Sequence, residues 1–303
     1  MAKRSAIGQA LISAAMNGKK VTVFMELKAR FDEQNNLDWA KKMKEAGVRV
    51  VYSLPGLKVH AKVALIKMKD TKLAFIGTGN LNEDTARIYC DYGLMTADKE
   101  ITQELSGLFK FLSNKRPPKH FRQLIVSQFN AFDRFRELIR REKAHAVAGR
   151  KALIFIKLNN LQEKKLIDEL YDAAEAGVEV RLIVRSICCL VPEKNGIRVK
   201  RLVGRFLEHG RAFYFYNGGE DELYMGSSDW MNRNIHRRIE VTVPVKNPQL
   251  KNEMVQLLNL QWQDNKKAVW LNPKMENVAL HDEDRSPVAA QDDTYRYLQG
   301  PGS

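Results

Sequence analysis

The chain has 303 residues, 44% of them hydrophobic, and carries a formal charge of +14 with a pI near 9.6. That length accommodates two ordinary domains, the apolar content excludes wholesale disorder, and the cationic excess predicts attraction to polyanions. The three cysteines, Cys90, Cys188 and Cys189, follow no zinc or disulfide-framework spacing and fit a reducing cytoplasm, and apolar runs such as ALIFI are too short to span a bilayer.

The opening MAKRSAIGQALISAAMNGKK is basic and then apolar, as a secretory signal would be, but Gln9, Ser13 and Asn17 interrupt it at helical spacing. An amphipathic helix from Ala6 to Asn17, stopped by Gly18, follows from that pattern, and the protein reads as soluble and cytoplasmic. KVTVFMEL is next as a buried strand, NLDWAKKMKEAG as a helix ended by Gly47, and VRVVYSL as a strand. HAKVALIKM and KLAFIGTGN form a hairpin around KDTK. ITQELSGLFKFLSN is helical, KRPPKH breaks it, and NAFDRFRELIRREKAHAVAG is a long charged helix. The order then restarts with strand KALIFIKL, helix EKKLIDELYDAAEAG and strand VEVRLIVRSI, followed by IRVKRLV and RAFYFYN. This alternation predicts an α/β protein of two tandem domains, residues 1–125 and 126–271. A tail of residues 272–303 lacks periodicity and is expected to be mobile.

The two halves share a register. His60 is followed at +2 by Lys62, at +17 by Gly77, at +20 by Asn80 and at +31 by Asp91. His209 is followed at the same offsets by Arg211, Gly226, Asp229 and Glu240. A lone His-x-Lys is an ordinary strand edge, a lone GTGN is a turn and a lone aspartate is a surface carboxylate; an ungapped repeat of all four marks a duplication with a site in each copy. The residue types suit phosphoryl chemistry. Imidazole can attack phosphorus and release it again, a cation two residues along a strand projects beside it, and a Gly-rich turn lets backbone N–H groups and the Asn80 amide approach the same oxygens. A carboxylate at +31 can accept the Nδ1 proton and leave Nε2 free to attack.

At these residues the sequence resembles the phospholipase D superfamily, whose repeated His-x-Lys and Gly-Ser/Thr-x-Asn motifs from two similar domains meet in one active site. Phosphodiesterases of that superfamily usually place an Asp seven residues after the histidine; here those positions are Lys67 and Tyr216. A longer resemblance, to about residue 270, runs through KVHAKVALI, GTGNLNEDTARIYCDYGLMTAD, LIVRSICCLVP, VGRFLEHGRAFYFYNGG and RRIEVTVPV. These blocks are similar to the two C-terminal domains of the histidine-phosphorylated bacterial polyphosphate kinases. That resemblance implies two phospholipase D-like domains forming one site, with reversible transfer of the ATP γ-phosphate to inorganic polyphosphate. It makes His60 the phosphorylated nucleophile and His209 a second essential histidine near nucleotide phosphate. It also makes Arg30 a phosphate- and magnesium-associated arginine, and Tyr92 and Arg185 nucleotide contacts.

Mg2+ is the implied cofactor, ATP/ADP and polyphosphate the implied substrates; a homo-oligomer and peripheral membrane association stay open, and no specific nucleic acid is expected. Family members carry two further domains upstream, so the chain is expected to correspond to a C-terminal half, as a truncation or a short natural form. The competing readings are a phospholipase D-like phosphodiesterase or nuclease, and a catalytically incomplete polyphosphate-binding module.

Overall fold

The computed structural model describes residues 2–26, 33–53, 56–114, 116, 118, 120–279 and 286–300. Its second half is built on the strand Leu153–Leu158, in which every residue after the first is buried. Such a continuous apolar run belongs between two parallel or mixed neighbours covered on both faces. Glu179–Val184 pairs with it in parallel on one side and Ala212–Phe215 antiparallel on the other. Nine strands form the complete sheet, running from Asn277–Ala279 through Leu153–Leu158 to Ile125–Val126 at the far edge. Helices Ala131–Val147 and Lys164–Glu175 cover one face, and Phe135, Phe213 and Trp230 pack ring to ring beneath them. Each helix start has a local cause where the sequence supplies one: Glu163 accepts from the Leu166 N–H, and Asn247 accepts from Gln249 and Leu250 ahead of Pro248.

The first half repeats this plan in two pieces. Thr22–Met25 and Arg49–Tyr52 pair in parallel, and Lys62–Lys67, Lys72–Gly77 and Gly93–Thr96 form an antiparallel meander. The hairpin around residues 68–71 is therefore as expected, and so is the helix Ala6–Met16, capped by Ser5 and ended before Gly18 at φ +74°. Among the described residues no ladder joins Thr22–Met25 to Lys62–Lys67, whereas the equivalent strands of the second half are paired. The two halves share one apolar cluster in which Ala74, Ile76 and Leu105 meet Met225, Ile239 and Val241. That continuity holds the halves as one body.

Two expectations change. Strand Ile125–Val126 pairs with Val241 and Thr242, so a boundary at residue 125/126 falls inside an element of the second sheet. The described part of the tail, instead of hanging free, contains helix Ala290–Gln299, whose first residue is fully buried in a small cluster with Leu202 and Ala268. A helix Pro248–Gln263 fills the stretch before it that sequence periodicity left unassigned. No helix among the described residues is long and apolar enough to cross a membrane.

Candidate active site

Two short parallel ladders stitch the halves together, and each ends at the residues the repeat singles out. Lys58–Val59 pairs with Arg238–Ile239, and Leu207–Glu208 pairs with Tyr89–Cys90. In each ladder one strand runs into a histidine and the other into a carboxylate. The backbone N–H groups of His60 and Ala61 both donate to the Ile239 carbonyl, at 2.9 and 3.1 Å; those of His209 and Gly210 both donate to the Cys90 carbonyl, at 3.0 and 2.8 Å. Side by side, His60 Nδ1 lies 2.9 Å from Glu240 Oε2, and His209 Nδ1 lies 2.8 Å from Asp91 Oδ1.

The pairing is crossed. The carboxylate at +31 orients the histidine of the opposite half, where the sequence spacing had suggested its own. A parallel inter-half ladder imposes this, because equal positions of two parallel strands emerge together at the same end. Each carboxylate is itself held by the residue after the motif glycine: Ser227 Oγ donates to Glu240 Oε2 at 2.6 Å and Thr78 Oγ1 to Asp91 Oδ1 at 2.5 Å. Asn234 donates to the second Glu240 oxygen at 2.7 Å. Neither Thr78 nor Ser227 nor Asn234 stood out in the sequence, although the hydroxyl shared by GTGN and GSSD is a signal that could have found the first two.

Burial opposes ionisation of Glu240, yet His60, Lys62 and Ser227 outweigh it and hold the carboxyl below its ordinary range. Asp91 is lowered in the same way, against burial, by His209, Thr78 and Arg211. Both imidazoles are also lowered: burial dominates, and the carboxylates only partly offset it. An ionised carboxylate can only accept, so each neutral ring carries its proton on Nδ1 and presents an Nε2 lone pair.

The cations at +2 are equivalent and not identical. The Lys62 ammonium donates to its own His60 carbonyl; Arg211 Nη1 donates to the His209 carbonyl at 2.6 Å and approaches His209 Nε2 at 3.2 Å. Arg211 lowers the pKa of His60 and Lys62 lowers that of His209, which puts both histidines and both cations in one electrostatic neighbourhood. Desolvation brings Lys62 itself from 10.5 down to about 7. His60 Nε2 has no hydrogen-bond partner among the described residues, so the two imidazoles differ at the nitrogen that matters.

The remaining expected residues separate. Asp229 is buried and accepts from Asn159, Asn160 and Arg211, which makes it a scaffold for the arginine. Asn80, at the same offset, is exposed and its side chain makes no hydrogen bond among the described residues. The tyrosine ring facing His209 is Tyr89, with centroids 5.1 Å apart. Tyr92, expected in a nucleotide contact, packs against Gly210 and under the Lys157 ammonium, 5.3 Å from its ring centre. Arg185 is half-buried with an unpartnered Nε, and burial and Arg211 lower its pKa. Arg30 lies outside the described residues. Of the +7 positions, Lys67 pairs with Lys72 at the far end of the hairpin, and Tyr216 follows the strand Ala212–Phe215 beneath the Lys151 ammonium. Among the described residues no group of three or more His, Cys, Asp or Glu side chains could hold a metal ion.

The structure superposes on phosphatidylserine synthase of Haemophilus influenzae with a TM-score of 0.52 at 11% identity, covering 97% of this chain and 91% of that one, so the two share one fold over nearly their whole lengths. Residues 1–118 match polyphosphate kinase C-terminal domain 1, and residues 124–291 match polyphosphate kinase C-terminal domain 2. The chain belongs to the polyphosphate kinase family. It is 45% identical to the polyphosphate kinase of Salmonella typhimurium over 99% of its own length and 45% of that relative's. It superposes on the crystal structure of polyphosphate kinase from Porphyromonas gingivalis with a TM-score of 0.91 at 44% identity, covering 98% of this chain and 46% of that one. The chain thus spans about half the length of the relatives it matches.

Proposed function

We propose that this chain carries the phosphoryl-transfer centre of a polyphosphate kinase, exchanging the γ-phosphoryl group of ATP with the end of an inorganic polyphosphate chain through phospho-His60. The observation that carries this reading is the difference between the two Nε2 atoms: that of His209 faces Arg211 at 3.2 Å, while that of His60 has no partner among the described residues. A nucleophile needs a free lone pair, and a neutral ring held at Nδ1 supplies it.

In the first half-reaction His60 Nε2 attacks the γ-phosphorus, the N–P bond forms as the bridging P–O bond breaks, and ADP leaves. In the second, a terminal oxygen of polyphosphate attacks the same phosphorus and the N–P bond breaks, leaving the chain one unit longer. Positioning and charge dominate such transfers. Lys62 and Arg211 supply cations at the reacting group, Glu240 and Asp91 hold the imidazoles, and His209, with Arg185 nearby, faces the nucleotide phosphates. Tyr89, rather than Tyr92, lies beside that histidine. Magnesium belongs to the substrate and arrives as Mg-ATP, where it shields the β and γ oxygens. The +14 surplus suits a polyanionic product, whose retention should weaken steeply with salt.

Incubation with γ-labelled Mg-ATP should give acid-labile, base-stable label on the protein, and His60→Ala should abolish it. Label that survives His60→Ala would remove His60 as the acceptor. Because the chain is half the length of its relatives, thermal melting with ATP and with polyphosphate separately shows which substrate it holds unaided.

A further inference from the structure

The strands that deliver the two histidines are each only two residues long and, among the described residues, pair only with the opposite half. A two-stranded ladder of this size is marginal by itself, so its outer edge needs a second support. Before His60 that support comes from within the first half: Glu26 accepts from the Val59 N–H at 3.3 Å and from Ser53 Oγ at 3.0 Å. Before His209 it comes from the end of the chain.

Gln291, in the first turn of helix Ala290–Gln299, reaches the segment leading into His209 at three points. Its Oε1 accepts from the Phe206 N–H at 3.0 Å, and its Nε2 donates to the Phe206 carbonyl and to Glu208 Oε1, both at 2.8 Å. Amide and backbone therefore pair as two strands would. Gly204 permits the approach, since a Cβ there would overlap the Gln291 amide. The other Glu208 oxygen meets the buried Lys157 ammonium at 2.6 Å, so Glu208 is gripped from both sides immediately before the histidine. The helix is anchored in turn: the Ala290 N–H donates to buried Asp264 Oδ2 at 2.7 Å, and Asp264 Oδ1 accepts from three successive backbone N–H groups, of Lys266, Lys267 and Ala268.

We infer that Gln291 is a positioning residue for His209: the C-terminal helix sets the place of that imidazole by holding the strand that delivers it. The inference rests on the proposed role of His209 for its kinetic consequence, but not for its structural one. Geometric errors of an ångström at a reacting centre cost up to about a hundredfold, and loss of one of two supports should give about a tenth of that.

The test uses the full chain with labelled histidines. In Gln291→Ala, and in Gly204→Ala, which displaces the amide while keeping it, the His209 ring resonances and titration midpoint should move while those of His60 stay. Phosphoryl transfer to polyphosphate should fall about tenfold, mainly in kcat. Arg296→Ala, on the same helix and bonded among the described residues to Asp293 alone, should change neither. His209 signals unmoved in folded Gln291→Ala and Gly204→Ala would overturn the inference whatever the activity. His209 signals that move while transfer is unaffected would uphold the positioning and count against the role given to His209 under the proposed function.

Discussion

His60 and Glu240 stand 180 residues apart in the chain and 2.9 Å apart in space. Three donors hold the carboxylate in place, so an amide of the same shape should leave the fold standing while turning one accepting oxygen into an N–H donor beside the Nδ1 contact. In Glu240→Gln the ring loses its preference for the tautomer with Nε2 free. Carboxylate-oriented catalytic imidazoles lose on the order of 10²–10⁴ in rate from such a change. Rapid-quench measurement of label appearing on His60 should show a loss in that range, and an unchanged burst rate would refute an orienting role for Glu240.

The pH profile follows from the directions of the shifts. Burial puts the His60 pKa below 6.5 with Glu240 opposing it, so the ring is neutral at pH 7 and phosphorylation should be flat there. The rate should fall only as pH drops below the ordinary histidine range. Glu240→Gln removes the group that raises the pKa, so its acid limb should lie lower still; a limb displaced upward would contradict the assignment. Stability moves the same way. Below 6.5 the unfolded chain takes up protons on these histidines that the native chain refuses, and Glu240 and Asp91 add carboxylates whose native pKa values are depressed. In both cases the unfolded state binds more protons, so stability is lost as pH falls.

Lys62 offers a different window. Its native pKa of about 7 against 10.5 means that between these values the unfolded chain carries a proton that the native chain lacks. Stability therefore rises with pH across that range, and the buried amine costs on the order of a few kcal/mol at neutral pH. Lys62→Met should accordingly raise the melting temperature at pH 7–8 while abolishing transfer, a separation of stability from function. A bound phosphate group would restore the charge. Calorimetric titration with polyphosphate near pH 8, repeated in buffers of different ionisation enthalpy, should show proton uptake in the parent and none in Lys62→Met; equal uptake in both would place the proton elsewhere.

Much of this was legible in the amino-acid order because duplication is a one-dimensional signal. The spacing from His60 to Asp91 and from His209 to Glu240 survives unchanged, so the site residues could be listed without knowing where they go. What spacing cannot carry is which copy a side chain meets. The crossed pairing depends on the ladders Val59–Ile239 and Glu208–Cys90, each only two residues long and too short to leave a periodic trace. Asn80 and Asp229 occupy one register position and different environments, since only Asp229 has backbone N–H groups and an arginine to accept from. Tyr89 and Tyr92 lie three residues apart, and the other half settles what each ring meets: Tyr89 faces His209, while Tyr92 packs against Gly210 and Lys157. The docked helix Ala290–Gln299 escaped notice because its hold is made of polar contacts around Asp264 and Gln291, with only Ala290 supplying a buried apolar residue.

Gly79 tests the second crossed pair through a position that touches neither histidine. Its backbone dihedral is ordinary, so alanine there meets no conformational penalty; the obstacle is space, because a Cβ would overlap the Asp91 carboxylate. Asp91 must then swing away from Thr78 and from His209 Nδ1, which it now meets at 2.5 and 2.8 Å. Overpacking of this kind costs about 1–3 kcal/mol, so Gly79→Ala should fold with a lowered melting temperature. Freed from Asp91, His209 loses the group that raises its pKa, while burial and Arg211 continue to lower it. Its titration midpoint should drop below that of the parent, and transfer to polyphosphate should fall by roughly 10–100-fold as the ring loses its orienter. Histidine resonances followed through a pH titration decide the matter: a His209 midpoint that stays put in Gly79→Ala would show that Asp91 does not govern that imidazole.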